Sequence, residues 1–226
     1  MGKEFETHLS AEVAASPEQV WDAIATGPGI SSWFVGRTEV DGDTVRTSFG
    51  DDWIPAGTIS AADPGHRFAY ASDTAPDGRF VAYEYLIEGV DRSSTVLRAV
   101  TSGFLPGDDW AEEFEAMGYG TRLFFHTLVE YLRRFPGRAL APSTSFGPPV
   151  TDWPDAWSRL HARFGLGSRP QPGDRVRAEL TGTVYHADPH ALAIVTDAGF
   201  HRFIRGFHGS MVFSDALTTA PEGTIA

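Results

Sequence analysis

The sequence predicts an α+β fold in which an antiparallel sheet curls around one long helix, with a smaller helix-and-meander unit after it. Three observations predict it. Short alternating segments parted by turn residues fill the first hundred positions, the apolar period lengthens to that of a helix beyond Asp108, and the chain changes character again beyond Phe135.

Residues 3–13, KEFETHLSAEV, place Phe5, Thr7, Leu9, Ala11 and Val13 on one side and Glu4, Glu6, His8, Ser10 and Glu12 on the other, the pattern of a half-buried strand. SPEQVWDAI then opens a helix: Ser16 suits the N-cap, Pro17 the first helical position, and Gln19 completes a capping box. Val20, Trp21 and Ile24 form its apolar stripe, and Gly27-Pro28-Gly29 is expected to stop it. Trp33 and Phe34 follow where the chain turns back, and are expected to plug one end of the sheet against the long helix. RTEV, DTVRTSF, GTISAA, HRFAYAS, RFVAYEYLIEG and STVLRAVTSGF alternate with Asp-Gly, Pro-Gly and Pro-Asp-Gly turns, which predicts an antiparallel meander of about six strands. Trp110, Phe114, Met117, Thr121, Phe124, Leu128, Tyr131 and Phe135 then recur every three or four residues along one side of a long helix, with a kink or break expected at Gly118 and Gly120.

These readings divide the chain into a first domain over 1–137, a Pro-rich linker over 138–150 and a small α+β unit over 151–226. In the last of these, Trp153, Trp157, Leu160 and Phe164 have helical spacing, and Arg175–Leu180, GTVYHA, HALAIVTD and FHRFIRGF read as strands. So small a unit buries little apolar surface alone, so it is expected to dock on the first domain or on a second copy of the chain, as in a homodimer.

Eighteen basic against thirty acidic residues give a net charge of −12, which repels nucleic acid and anionic headgroups. Neither is an expected partner. Cysteine is absent, which excludes disulfides, thiol nucleophiles and thiolate metal sites. The start MGKEFETHLS has no apolar leader, and no run approaches the roughly 20 apolar residues of a membrane span, so a cytoplasmic address is expected.

The chemistry points to binding. In the meander Glu84, Glu88 and Arg98 mark the solvent face, so Tyr83, Tyr85 and Thr101 turn inward, and Phe68 and Tyr70 join them. With Phe104, with Trp110, Phe114 and Met117 from the helix, and with Trp33 and Phe34, they are the candidate wall of a cavity for a small lipophilic or aromatic molecule that also offers a polar atom. Glu112, Glu113 and Glu115 fall mainly off the apolar helix stripe and read as a solvated face, and Asp51-Asp52 as turn chemistry. Ser, His and Asp are not assembled in any nucleophile signature, and there is no glycine-rich phosphate loop. His186, His190, His201 and His208 lie among strands and turns without metal-ligand spacing, so neither metal nor cofactor is expected.

The alternating first strand, SPEQVWDAI, the Trp-Phe pair, the meander, STVLRAVTSGF and GYGTRLFFHTLVEYL together resemble the SRPBCC superfamily of START domains and the birch-pollen allergen. Over residues 3–136 they resemble most its bacterial branch named after the heat-shock ATPase activator homologue. The resemblance implies a helix-grip fold, and with the inward tyrosines and the lack of a catalytic signature the expected function is lipophilic binding without catalysis. It leaves two alternatives open: a polyketide aromatase/cyclase-like enzyme with Tyr83, Tyr85 and Thr101 as its proton-handling groups, and a module that regulates a chaperone ATPase. Thr101 departs from the His that many members carry before the Ser-Gly ending the last strand.

Overall fold

The computed structural model describes residues 2–90, 94–106, 110–206 and 209–218, with the backbone alone described at 110–114 and 116. β1 (Lys3–Val13) leads into α1 (Pro17–Ala25), whose Ser16–Gln19 capping box is formed in both directions: the Ser16 Oγ accepts from the Gln19 backbone N–H at 3.2 Å, and the Gln19 side-chain Oε1 from the Ser16 backbone N–H at 2.9 Å. Gly27-Pro28-Gly29 does not simply end this helix but starts another, α2 (Gly27–Ser31). Extended backbone at Thr26 breaks the ladder, and the Thr26 hydroxyl then caps the new turn by accepting from the Gly29 N–H at 3.0 Å. Pro28 fits the first turn of a helix as well as it ends one. The helices are packed so closely that a Cβ on Gly29 would lie 1.9 Å from the Asp22 carbonyl oxygen.

The meander follows as β2 (Thr38–Asp41), β3 (Thr44–Phe49), β4 (Asp52–Trp53), β5 (Gly57–Asp63), β6 (Arg67–Ser72), β7 (Phe80–Gly89) and β8 (Thr95–Leu105). β8 pairs antiparallel with β1 over its whole length, from Lys3 opposite Leu105 to Val13 opposite Thr95, giving the order β1-β8-β7-β6-β5-β3-β2 with β4 on β3. α3 (Trp110–Arg134) packs against β1 and β8, which completes an α+β helix-grip arrangement. It runs without a break through Gly118 and Gly120: the tertiary packing of its apolar side outweighs the roughly 1 kcal/mol that each glycine costs a helix.

The segment read as a linker is largely a strand. β9 (Ala141–Pro149) pairs with the last strand of a second sheet, ordered β10-β11-β12-β13-β14-β9, where β10 is Arg175–Val176, β11 Gly182–Asp188, β12 Ala191–Val195, β13 Gly199–Arg205 and β14 Ser210–Leu217. Its prolines are tolerated because β9 is an edge strand, whose outward N–H groups have no ladder to join. α4 (Trp153–Arg163) covers one face of this sheet, with Leu160 and Phe164 against Val184, Leu192 and Ile194. Its apolar stripe is thus covered within its own unit. The other face of the sheet, with Tyr185, Ala193, Val195 and Phe200, shares a core with α3 and the first sheet. β12, buried at every position, sits between these two cores.

Candidate functional site

A cavity of about 500 Å³ lies among β7–β8, α3 and the second sheet. Tyr83, Tyr85, Ala99 and Thr101 form its sheet wall, because the alternation of β7 and β8 turns these positions inward. Trp33 and Phe34 close one side. The Trp33 ring is 2% exposed, its indole N–H donates to the Ala23 carbonyl at 2.9 Å, and it meets Tyr85 edge-on at 6.2 Å. Phe34 packs edge-on against Phe124 of α3 at 4.9 Å and Tyr83 at 6.4 Å. Met117, Tyr119 and Phe124 line the helix side.

Several expected wall residues lie elsewhere. Tyr70 stacks on Tyr83 at 5.1 Å and faces a smaller neighbouring cavity of about 220 Å³. Phe68, 1% exposed, packs edge-on against Trp21 at 5.9 Å as core. Phe104 is on the opposite face of β8 from Thr101, in register with Glu4 and Phe80, since three positions along a strand reverse the side. Trp110 and Phe114 are helical, but their side chains fall outside the described residues, as does His208.

The second sheet supplies the remaining wall through His190, Ala191, Ile204, Arg205, Gly206 and Val212. None of these is expected at the cavity from the sequence, because the unit carrying them reads as an accessory. Arg202 is a further residue that the sequence reading passes over. Fully buried, it donates from Nη1 and Nη2 to the carbonyls of Trp33 and Phe34 and from Nε to that of Ser214, while its guanidinium lies 5.4 Å from the Phe124 ring centre. Burial draws its pKa below the usual arginine value, with Tyr185 and Asp215 acting in the other direction. The signal lies in FHRFIRGF, where Arg202 shares the parity of Phe200 and Ile204. Thr144 of β9 adds a hydroxyl bond to the Val35 carbonyl at 2.6 Å, so the plug is held by main-chain acceptors reaching into the second sheet.

Burial pushes Tyr83 up to about 12 and Tyr70 and Tyr85 well above the usual phenol value, so these hydroxyls stay protonated near neutral pH. Among the described residues the Tyr83 and Thr101 hydroxyls have no hydrogen-bond partner, which leaves both available to a ligand. At the far end Tyr119 stacks on His190 at 4.0 Å. Burial, and then Arg205, hold His190 below the usual histidine value, with Asp188 and Glu115 opposing. Beside it runs a hydrogen-bonded series: His126 Nδ1 to His186 Nδ1 at 2.8 Å, and His186 Nε2 to the Asp188 carboxylate at 2.8 Å. The other Asp188 oxygen accepts from the N–H groups of His190 and Ala191. Burial raises the Asp188 pKa, but the bond from His186 and those from the two N–H groups outweigh it and leave the carboxyl below its usual range. Among the described residues no three metal-ligating side chains converge on one point.

Fold and site together define an α+β helix-grip protein with an internal, largely apolar cavity closed by a second sheet. No family model matches the chain, and no curated protein matches it. Among solved structures, it is similar to protein MLL2253 from Mesorhizobium loti (18% identity, 57% of this chain and 96% of that one, TM-score 0.47) and to the Aha1 dimer from Colwellia psychrerythraea (16%, 57% and 96%, TM-score 0.46). It is also similar to BexL, a di-domain ARO/CYC of the BE-7585A biosynthetic pathway (14%, 95% and 85%, TM-score 0.49).

Proposed function

We propose that this chain is an SRPBCC-type binding protein that holds a small lipophilic or aromatic molecule between β7–β8, α3 and the second sheet. The observation that carries this reading is the cavity of about 500 Å³ walled by Trp33, Phe34, Tyr83, Tyr85 and Phe124, a volume within the range of small-molecule sites. Apolar walls supply affinity in proportion to the area they cover, and the Thr101 and Tyr83 hydroxyls orient a ligand that offers a carbonyl or hydroxyl. The test uses the neutral fluorescent probe N-phenyl-1-naphthylamine. It is expected to bind with enhanced emission, to be displaced by flat neutral aromatics, and to bind at least tenfold more weakly when Met117→Trp fills the space from the helix side. Undiminished binding by a folded Met117→Trp variant overturns the reading.

A second reading, an aromatase/cyclase-like enzyme, is favoured by one observation: His190 brings an imidazole that is neutral near pH 7 to the cavity wall, opposite hydroxyl donors on β7 and β8. Turnover of a poly-β-keto thioester that His190→Gln abolishes, with N-phenyl-1-naphthylamine binding intact, decides for it.

A further inference from the structure

We propose that the ligand is elongated: an aromatic body lies in the cavity of about 500 Å³, and a neutral apolar arm passes Phe34 and Tyr83 into the cavity of about 220 Å³ beside it. This rests on the binding reading above and names the class of molecule the site takes.

The two cavities are neighbours along the inner face of the first sheet. Alternation on β7 turns Tyr83 and Val81 to the same side, and Tyr70 of β6 stands opposite Tyr83 in the ladder. Tyr85 of β7 with Ala99 and Thr101 of β8 walls the larger cavity, while Val81, Tyr70 and Ser72, with Val45 and Thr47 of β3, wall the smaller one. In the order β8-β7-β6-β5-β3 this joint wall crosses four strand spacings, about 19 Å at about 4.8 Å each. Phe34, Ile54, Pro55 and Tyr83 line both cavities, so these four residues are the partition between them.

Ring contacts close that partition. Phe34 meets Tyr83 edge-on at 6.4 Å. The Tyr83 hydroxyl has no hydrogen-bond partner among the described residues and the Phe34 ring has no polar atom, so turning either side chain breaks no hydrogen bond. The main chain behind the Phe34 ring stays in place, because Arg202 donates to the Phe34 carbonyl at 3.2 Å. Phe34 is thus a flap on a fixed hinge.

The smaller cavity selects the character of the arm. Its hydroxyls are already engaged: the Ser72 Oγ accepts from the Val81 N–H at 3.1 Å, that of Thr47 is bonded to that of Thr38 at 2.8 Å, and that of Tyr70 to that of Tyr85. The charged residues at this cavity face solvent, since Asp73 is exposed and the Arg79 side chain, 42% exposed, pairs with Asp77 at 3.8 Å. A polar arm would leave water without gaining a bond, whereas an apolar arm gains with every carbon it buries. The class is therefore an aromatic ring system carrying an alkyl or alkenyl substituent.

The experiment compares 2-naphthyl methyl ketone with 2-naphthyl hexyl ketone, each displacing N-phenyl-1-naphthylamine from the full chain at pH 7.5. The hexyl ketone is expected to bind about tenfold or more tightly, since its further methylenes leave water. Any apolar cavity rewards added carbon, so the decisive comparison is with variants that fill the smaller cavity alone. Val81→Trp should cut the ratio to about threefold or less without changing the affinity for the methyl ketone or for the probe, and the smaller Val81→Phe, read in its place if Val81→Trp does not fold, should at least halve it. A parent ratio below about tenfold, or a ratio that survives these substitutions in protein shown to be folded by circular dichroism, overturns the proposal while leaving the cavity reading intact. If the neutral probe itself does not bind, the cavity reading fails and this proposal falls with it.

Discussion

Arg202 and Trp33 lie 169 residues apart in the chain, and the guanidinium of the first donates to the main-chain carbonyl of the second. The bond joins β13 of the second sheet to the turn after α2, and the carbonyls of Phe34 and Ser214 complete the set of acceptors. Removing the donor leaves buried carbonyls unpaired, at about 1–3 kcal/mol for each such group. Arg202→Met is therefore expected to lower unfolding stability by about 3 kcal/mol in denaturant titration. Arg202→Lys, which keeps the charge but not the planar fork, should recover less than half of that. A stability within about 1 kcal/mol of the parent for Arg202→Met would show that the plug is held by other contacts.

Cutting the chain between Gly137 and Arg138 separates the two sheets. The second unit is then expected to expose the face carrying Tyr185, Ala193, Val195 and Phe200, and the first to expose the side of α3 that faces it. Each piece alone should aggregate or bind a hydrophobic dye, and co-expression should restore a soluble complex. A second unit that unfolds cooperatively as a soluble monomer refutes the expected dependence.

Acid should weaken the fold. Although His126 is exposed overall, desolvation of its ring comes first among the causes that hold its pKa below the usual value, followed by His186 and Arg122, with Asp188 opposing. His161 is lowered by burial, and His190 by burial and Arg205. A histidine whose folded pKa is depressed takes up protons more readily when unfolded. Its contribution is complete above the unfolded value near pH 6.5 and is lost as pH falls through the folded one. The His126 Nδ1 is held 2.8 Å from the His186 Nδ1, where an added proton on His126 has little room, so thermal stability should drop as pH falls below about 6.5. His126→Asn should flatten that drop, and an unchanged slope would exclude this pair as its source.

Alkali acts through the tyrosines. Tyr83 and Tyr185 are raised to about 12, Tyr83 by burial and Tyr185 by burial against the opposing effects of Arg202 and Thr127. An acid whose folded pKa is raised gives stability below its unfolded value, near pH 10, that is lost as pH climbs. Ultraviolet titration should show these phenols ionising together with base unfolding rather than before it. A smooth tyrosinate signal in still-folded protein would contradict their burial.

Much of the first domain is legible in the sequence because local chemistry and tertiary packing agree there. The Ser16–Gln19 box, the alternation of β1 and the inward parity of Tyr83, Tyr85 and Thr101 each follow from short-range geometry. The same parity, counted along STVLRAVTSGF, turns Phe104 away from Thr101, so its place on the candidate wall conflicts with the alternation that put Thr101 there. Other features depend on long-range partners. β9 carries prolines that look like a linker until an edge position is known, and the glycines of α3 look like breaks until packing holds the helix. The far wall of the cavity comes from His190 and the residues after it, which no local pattern connects with Tyr83. Arg202 is legible as a charge on an apolar parity, but its acceptors, the carbonyls at 33 and 34, have no sequence signature.

The pairing of β1 with β8 sets an order of events for folding. Lys3–Val13 has no ladder partner until residues 95–105 have been made, so the first strand waits while the hairpins between them form locally. The carbonyls of Trp33 and Phe34 wait longer still, for a donor at position 202. The chamber beneath them is therefore finished late in the process, and a molecule captured as it closes would act as a template for the final step.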